Sequence, residues 1–278
     1  MPDTRLFHPL PLGPARLTHR IAMAPLARFR AGADHTPTPL MAAYYARRCA
    51  APGTLLVAEA SLVSPRGGGQ AFGPGLWDAA HVAGWKRVVD AVHARGCVIF
   101  AQLIALGRAA EGSGGGGVGD AEELGMRMAD PVPQFTYLIK ELRRLDLAYL
   151  HLFQSRIPGD DDDAKENSER LDLMVQAWGK GKPVLIAGGL EPDSARHLLD
   201  EEYPNYDVVA VFGRYFLSTP DLVYRIQNGI PANPYHRETF YGDGKRVPEL
   251  GYVDYPFSDE YLAEQADLQS GVKWESSS

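Results

Sequence analysis

Six short apolar runs alternate in this 278-residue sequence with segments whose apolar residues have helical spacing. We predict β-strands at these runs, residues 20–24, 54–58, 97–102, 147–152, 183–187 and 207–212. Between the second and third runs, Trp85, Val88, Val89 and Val92 fall at positions i, i+3, i+4 and i+7, which share one face of a helix. Strands that alternate with helices build parallel sheets, so the pattern predicts an α/β protein.

Prolines mark where several helices begin. Proline is tolerated at the first helical position because the N–H that it lacks has no helical partner there. The pairs Asp130-Pro131, Glu191-Pro192 and Thr219-Pro220 therefore predict three helix starts. The segment after Tyr235 is rich in loop-forming and aromatic residues, and we predict that it is a C-terminal cover and not a further βα unit.

The interval between the third and fourth predicted strands is too short for a complete barrel. A closed (β/α)₈ barrel has eight strands in about 250 residues. Between Gln102 and Leu147 there is only a Gly/Ser-rich run at 112–119, a turn and one helical segment. A βαβ unit takes about 30 residues or more, so two further strands do not fit. We predict a sheet derived from such a barrel, with about six parallel strands and helices outside, open or irregularly closed at the gap.

Charge and composition exclude several functions. The net charge of −7 and the absence of a Lys/Arg-rich run argue against nucleic acid and against a polybasic membrane contact. Cys49 and Cys97 provide no disulfide framework, and the histidines have no metal-ligand spacing. The first residues lack the apolar core of a signal peptide, and the longest apolar stretch, 97–106, is too short to span a bilayer. We therefore expect a cytoplasmic protein without a metal site.

A series of motifs, in order along the chain, resembles a known family. The motifs are residues 6–10 (LFHPL), 23–30 (MAPLARFR), 44–48 (YYARR), 52–60 (PGTLLVAEA), 102–108 (QLIALGR), 188–189 (GG), 213–216 (GRYF), 239–241 (TFY) and 251–256 (GYVDYP). Over about residues 5–111 and 125–275 the chain resembles the Old Yellow Enzymes. The resemblance implies a (β/α)₈-barrel ancestry, FMN as the bound cofactor, and reduction of the C=C bond of activated enones with NAD(P)H as reductant.

The resemblance assigns cofactor-binding roles to eight residues: Pro25, Ala27, Ala60, Gln102, Gly188, Gly189, Gly213 and Arg214. The two glycine segments and the arginine would hold the FMN phosphate, Gln102 would bind the pyrimidine edge, and the others would lie beside the ring. Barrel enzymes commonly bind phosphate at the loops after strands seven and eight, which agrees with this assignment. Two alternatives stay open: the glycines serve only tight turns, and the Gln102 carboxamide bonds a neighbouring loop.

This sequence departs from the family pattern where the substrate would bind. Ala27 stands where the family usually has threonine or cysteine, and Ile104 replaces a common tryptophan. The missing fourth and fifth βα units would carry the His-x-x-Asn or His-x-x-His pair, a tyrosine proton donor and a basic residue at the flavin N1/O2 edge. No catalytic residue can be assigned; Tyr241, over the mouth of the site, is a weak candidate, and His151 reads as a core or loop-bonded histidine.

Three functions are compatible with these residues. The first is an FMN-linked, NAD(P)H-dependent oxidoreductase of small-molecule or secondary metabolism, which resembles the ene-reductases. The second is a redox-silent isomerase or epimerase that acts on an enone-type metabolite. The third is a catalytically inactive remnant without the substrate half of the site. In each case we expect one truncated domain, residues 1–278, with its junction at about 112–119, and a possible homo-oligomer through the open barrel edge.

Overall fold

The computed structural model describes residues 4–67, 71–106, 130–154, 171–242, 244 and 247–275. In chain order its strands are β1 (Leu10–Leu12), β2 (Ala15–Leu17), β3 (Ile21–Met23), β4 (Leu55–Leu62), β5 (Val98–Ile104), β6 (Leu150–Phe153), β7 (Val184–Ala187) and β8 (Val208–Phe212). β1 and β2 form an antiparallel hairpin, and the other six form one parallel sheet in the order β5-β4-β3-β8-β7-β6. The predicted six-stranded parallel sheet is confirmed. The Gly/Ser-rich run at 112–119 lies outside the described residues.

The helices follow the strands in the predicted alternation. They are α1 (Pro39–Arg47), α2 (Ala79–His93), α3 (Val132–Arg143), α4 (171–178 in the described part), α5 (Pro192–His197), α6 (Arg214–Ser218), α7 (Leu222–Asn228) and α8 (Asp259–Glu275). α5 begins at the predicted proline, and α3 begins one residue after Pro131. The predicted start at Pro220 is wrong, because Pro220 lies in a turn and α7 begins two residues later. The C-terminal cover is largely loop, but it ends in α8, which was not predicted.

The strands alternate their side chains between two cores. The larger core, between sheet and helices, takes Leu56, Ile186 and Ala210, and the smaller core, inside the curled sheet, takes Val57, Leu185 and Val209. Leu12 and Leu17 of the hairpin belong to the smaller core. Since the hairpin immediately precedes β3, it covers the end of the sheet at which the parallel strands begin.

β5 and β6 are the two edges of the sheet, and side chains connect them across its inside. Phe100 of β5 and Tyr149, just before β6, stack with ring centroids 5.9 Å apart and planes inclined by 6°. Both rings pack against the smaller core. These edges are the strands that flank the missing units, so the sheet curls until aromatic packing bridges the gap.

We predict that Phe100 and Tyr149 stabilise the fold cooperatively. Phe100→Ala should lower the free energy of unfolding by about 2–3 kcal/mol, less than a fully buried Phe would cost, because the ring is half-buried. A double-mutant cycle with Tyr149→Ala, followed by urea unfolding, should give a coupling energy of about 0.5–1.5 kcal/mol. Tyr137→Ala, on the exposed face of α3, is the control. Strictly additive losses would show that the two edges do not meet in solution.

His19 lies at the start of β3 and is buried in a hydrogen-bonded chain. The backbone N–H of Ile21 donates to Nδ1 (3.2 Å), so the proton is on Nε2, which donates to the Thr54 hydroxyl oxygen (2.9 Å). That hydroxyl donates in turn to the Ala51 carbonyl (2.6 Å). Burial lowers the pKa of His19 to about 4. The folded chain therefore holds the ring in its neutral form, and Nδ1 cannot be protonated without losing the hydrogen bond from the Ile21 N–H.

We predict that His19 makes the fold acid-sensitive. Its pKa is lower in the folded chain than the ordinary 6.5, so between pH 6.5 and 4 the unfolded chain binds more protons. The stabilisation is present above pH 6.5 and falls by roughly 3 kcal/mol as the pH drops to about 4. Urea unfolding at several pH values should show that the free energy of unfolding falls less steeply with decreasing pH in His19→Gln than in the wild type. The exposed His93→Gln variant should keep the wild-type slope. Equal slopes in all three would refute this role.

Candidate functional site

The carboxyl ends of the six parallel strands share one edge of the sheet, and the predicted cofactor residues lie along it. Gln102 is near the end of β5 and Ala60 near the end of β4, while Pro25 and Ala27 are in the loop after β3. Gly213 and Arg214 follow β8, and Gly188 and Gly189 follow β7. The fold thus brings all eight residues to five adjoining strands, in the order β5-β4-β3-β8-β7.

The glycines after β7 and β8 serve different purposes. Gly188 has φ 139°, and a Cβ there would come within 2.3 Å of the Gln154 carbonyl, so packing alone requires a glycine. At Gly213 a Cβ would meet nothing closer than a Leu26 methyl at 3.7 Å. Packing does not explain Gly213, and its bare backbone leaves room for a ligand to approach. The tight-turn alternative accounts for Gly188 and not for Gly213.

Arg214 offers a cation beside this open backbone. Its guanidinium lies 5.3 Å from the centre of the Tyr235 ring, and Nη1 donates to the Tyr235 hydroxyl (3.0 Å). The side chain is exposed, and within the described residues its other N–H groups make no hydrogen bond. Arginine binds phosphate through two parallel N–H donors, which this orientation leaves available. The residues after β8 therefore fit the phosphate of FMN.

The eight predicted cofactor residues form a row along the carboxyl edge of the sheet. Gln102 lies at the end of this row opposite Gly188 and Gly189, on the inner face of the edge strand β5. It pairs with Ala60 in the register of β4 and β5, where β4 has an irregularity between Val57 and Ala60. Such bulges re-aim the residues that follow them. Gln102 is half-buried, and no hydrogen bond of its carboxamide occurs in the described part of the chain. An amide that is half-buried and has no partner among the described residues fits the hydrogen-bonding edge of a flavin, and the alternative bond to a described loop is not observed.

The loop that carries Pro25 and Ala27 is fixed by a buried carboxylate that the sequence analysis missed. The backbone N–H of Arg28 donates to Oε2 of Glu59 (2.9 Å), and Glu59 is completely buried in β4. The Tyr45 hydroxyl accepts the Glu59 backbone N–H (2.8 Å). Burial raises the pKa of Glu59, against the opposing effect of the bond from Arg28. A glutamate within an apolar strand was the available signal, since a buried carboxylate needs partners.

Arg28 connects the same loop to the C-terminal cover. Its guanidinium is buried and donates from Nε to the Phe240 carbonyl (2.7 Å) and from Nη2 to the Gly251 carbonyl (2.8 Å). The Arg28 carbonyl accepts the backbone N–H of Gly242 (2.8 Å). The loop after β3 and the cover around Tyr241 are therefore a single hydrogen-bonded unit.

Tyr241 and His151 occupy different surroundings. Tyr241 is 59% exposed and packs against Phe29, with centroids 5.6 Å apart and planes inclined by 32°. The resemblance implies that it lies over the mouth of the site. His151 is half-buried on the inner face of β6, and burial lowers its pKa. His151 is thus favoured in its neutral form as a core residue of an edge strand, and no described residue bonds it.

The described residues lack two features that would point to other functions. They contain no group of three or more His, Cys, Asp or Glu side chains arranged to hold a metal ion. None of their helices combines the length and the apolar character needed to cross a membrane. Cys49 and Cys97 are buried and free.

We predict that Glu59 stabilises the loop after β3. Glu59→Ala removes the acceptor of the Arg28 N–H, and hydrogen bonds to charged groups contribute about 1.5–3 kcal/mol to stability. Urea unfolding should show a loss of about that size, whereas Glu59→Gln, which keeps an acceptor oxygen, should lose less. Glu141→Ala, which removes an exposed ion pair with Arg144, is the matched control and should cost under about 1 kcal/mol. Equal losses for the two alanine variants would contradict the role given to Glu59.

Comparison with known proteins agrees with the geometry. Residues 5–115 match the profile of the NADH:flavin oxidoreductase / NADH oxidase family. The chain is 35% identical over 367 residues to Chanoclavine-I aldehyde reductase fgaOx3 of Penicillium roqueforti, an alignment that covers 93% of this chain and 98% of the relative. It is 32% identical over 369 residues to NADP-dependent oxidoreductase lnbE of Aspergillus flavus, with coverage of 92% and 97%.

Several relatives have names that describe them as probable inactive enzymes. The chain is 32% identical over 377 residues to "Probable inactive reductase easA" of Epichloe festucae var. lolii, with 95% of this chain and 98% of the relative covered. Among solved structures, morphinone reductase in complex with tetrahydroNAD superposes with a TM-score of 0.74 at 24% identity, over 92% of this chain and 98% of that one. The structural match supports the fold.

The alignment lengths also support an internal shortening. Since 93% of 278 residues is about 259, roughly 108 of the 367 positions aligned with the Penicillium relative have no counterpart in this chain. That is enough for the two βα units that the sheet lacks. The fold is a (β/α)₈ barrel reduced to six strands, and the chain belongs to the NADH:flavin oxidoreductase / NADH oxidase family, the Old Yellow Enzymes.

Proposed function

We propose that this chain binds FMN along the carboxyl edge of its sheet and uses NAD(P)H to reduce an α,β-unsaturated carbonyl of a small metabolite. The observation that carries the proposal is the row of eight residues on five adjoining strands, with a cation at one end and an unbonded carboxamide at the other. Bound FMN would supply hydride-transfer chemistry, which protein side chains lack. Relatives named as aldehyde reductases support a carbonyl-bearing substrate.

The two ends of the row are proposed to bind different parts of FMN. Gly213 and Arg214 hold the phosphate, with Gly188 and Gly189 shaping the neighbouring loop. Gln102 hydrogen-bonds the pyrimidine edge of the ring. Ala60 and the loop from Pro25 to Ala27 contact the ring through backbone atoms, and Glu59 keeps that loop in place.

Two substitutions change the surroundings of the ring. Ala27 has no side-chain donor or acceptor, so the flavin carbonyl next to it loses a partner that a threonine or cysteine would give. Ile104 follows Gln102 on the inner face of β5 and fills less volume than a tryptophan. We infer a flavin with an altered reduction potential beside a widened pocket.

The alternative is a chain that binds FMN but performs no reduction. The absent fourth and fifth units would carry the carbonyl-binding pair and the proton donor, and Tyr241 is the remaining candidate donor in the described part of the site. Four relatives are named as probable inactive reductases or dehydrogenases, which favours an inactive remnant over a redox-silent isomerase.

We further propose how the chain is organised in the cell. Residues 1–278 form one truncated domain with its junction at about 112–119, and the protein acts in the cytoplasm. The unpaired edges β5 and β6 are suited to pair with a second copy, because exposed strand edges bind other strands readily. The chain binds a small molecule and neither nucleic acid nor a membrane.

Titration with FMN tests the proposal. Purified protein should take up FMN and quench its fluorescence, and Arg214→Ala should weaken the affinity about tenfold or more, as expected for a lost charge-assisted hydrogen bond. Arg16→Ala, an exposed arginine on the hairpin at the other end of the sheet, should bind normally. A protein that takes up no flavin would refute the proposal.

Anaerobic mixing of the FMN-loaded protein with NADPH then separates the two functions. Loss of the visible flavin absorbance, followed by reoxidation on addition of an unsaturated aldehyde or ketone, supports the reductase. Flavin that binds but is never bleached supports the inactive alternative.

A further inference from the structure

The two cysteines of the chain lie side by side, at the end of the sheet opposite the candidate site. Cys49 follows α1, and Cys97 directly precedes β5, so it lies where the parallel strands begin. Although they are far apart in sequence, the thiol of Cys49 donates a hydrogen bond to the sulfur of Cys97. Both are free. The fold therefore brings all the thiols of the chain to one point.

Backbone contacts impose this proximity. The connection from α1 to β4 lies against the segment that leads into β5, and the backbone N–H of Gly53 donates to the Gly96 carbonyl (2.7 Å). Sγ of Cys97 is 3.2 Å from the carbonyl oxygen of Ala51 in the same connection. Cys49 lies two residues before Ala51. The contact between the sulfurs thus follows from how two backbone segments pair, and not from the rotamer of one side chain.

The two thiols are not equivalent. The hydrogen bond from Cys49 holds the pKa of Cys97 below its ordinary value, and hydrogen bonds from Thr54 and Gly53 act in the same direction. Donating that hydrogen bond, together with burial, raises the pKa of Cys49. The thiolate is the reactive form of cysteine. Cys97 is therefore the sulfur that reacts first, with Cys49 next to it to resolve the product.

The pair lies directly beneath an exposed turn. Cys49 is 4% and Cys97 is 3% exposed, whereas Pro52, Arg95 and Gly96 around them are exposed. A bulky reagent such as glutathione disulfide cannot reach a sulfur that is buried in this way. Hydrogen peroxide is little larger than water and needs only a small opening of the turn. Burial therefore selects for a small oxidant.

From this geometry we propose that Cys49 and Cys97 form an oxidative modification site, which hydrogen peroxide converts into an intramolecular disulfide. The Cys97 thiolate attacks one peroxide oxygen, the O–O bond breaks, and Cys97 becomes a sulfenic acid while hydroxide leaves. The Cys49 sulfur then attacks the Cys97 sulfur, so that an S–S bond forms and the S–O bond breaks. Two thiols and one peroxide give one disulfide and two waters; the sulfurs lose the two electrons that the peroxide gains.

The surroundings of Cys49 favour the second step. The negative charge on Cys97 raises the pKa of Cys49, and this effect ends when Cys97 becomes a neutral sulfenic acid. Arg95 and Arg48 lower the pKa of Cys49. In a reducing compartment such disulfides are transient and redox-sensing, because cellular thiols reverse them.

The disulfide would anchor an edge strand of the opened sheet. Arg48, next to Cys49, donates to the carbonyls of Phe216 (2.8 Å) and Leu217 (2.6 Å) in α6. A bond from Cys49 to Cys97 would tie the start of β5 to this well-packed region. It would also close a long loop and so restrict the unfolded chain, which stabilises the folded one. Oxidation would therefore strengthen the fold at the strand that lost its neighbour.

Peroxide treatment of the purified, reduced protein tests the proposal directly. The thiols titrated with DTNB after denaturation should fall from two to none. Mass spectrometry should show a loss of two hydrogens and a peptide pair linked through Cys49 and Cys97, and dithiothreitol should restore both thiols. Glutathione disulfide at the same concentration should react about tenfold or more slowly, as expected for buried thiols. Two thiols that persist, or a disulfide between two chains, would overturn the proposal.

Single substitutions test the order of the steps. Cys49→Ser should stop at a sulfenic acid on Cys97, which dimedone traps, whereas Cys97→Ser should leave Cys49 largely unlabelled. Peroxide should raise the Tm of the wild type by about 5 °C or more, reversibly with dithiothreitol. The same treatment of Cys49→Ser controls for oxidation of methionine and should give no such rise. Equal dimedone labelling of the two variants would refute the assignment of Cys97 as the attacking sulfur.

Discussion

Arg28 is the residue on which the candidate site depends most. Its backbone N–H is held by the buried Glu59 of β4, and its guanidinium binds carbonyls on both sides of the cover, at Phe240 and Gly251. A buried cation requires such partners, because an unpaired charge in the interior would cost several kcal/mol (about 3–5 when one partner is removed). The loop under the proposed flavin, the strand beside it and the cover above it therefore keep one fixed arrangement, even though the sheet has lost two of its members.

The open sheet poses a different problem from the site. In a closed barrel each strand forms backbone hydrogen bonds with a neighbour on both sides, whereas among the described residues β5 and β6 have a neighbour on one side only. The stack of Phe100 on Tyr149 supplies packing across the gap but no backbone hydrogen bonds. This explains why the half of the molecule around β3, β4 and β8 is closely packed while the edge strands keep exposed side chains such as Leu103 and Phe153. A second copy of the chain that paired with these edges would supply the missing backbone hydrogen bonds and cover the exposed side chains.

The sheet could be predicted from the sequence because its strands are continuous apolar runs, which in β3, β4, β7 and β8 are buried on both faces. β4 extends beyond its predicted end, since Glu59 and Ser61 look like the end of an apolar run although both are buried. β5 also extends beyond its predicted end at Gln102, to Ile104. Pro220 was misread because proline suits a turn as well as a first helical turn. α8 carries too few apolar residues in register to be recognised. The positive φ values of Phe29 and Phe72 occur where these residues pack closely against Gly242 and Gly244, far away in sequence, so no local pattern could reveal them.

The shortening leaves the residues proposed to bind FMN in place and removes the units that would carry the groups for the reaction. The proposed FMN contacts come from β3, β4, β5, β7 and β8, all of which the chain retains. By the family resemblance, the groups that polarise a substrate carbonyl and protonate the product would belong to the lost units. A ligand held by the retained half would therefore be positioned without being activated, unless Tyr241 or a second copy at the open edge supplies the missing proton. For this reason the affinity for flavin reports on what the fold preserves, and turnover reports on what has replaced the lost half.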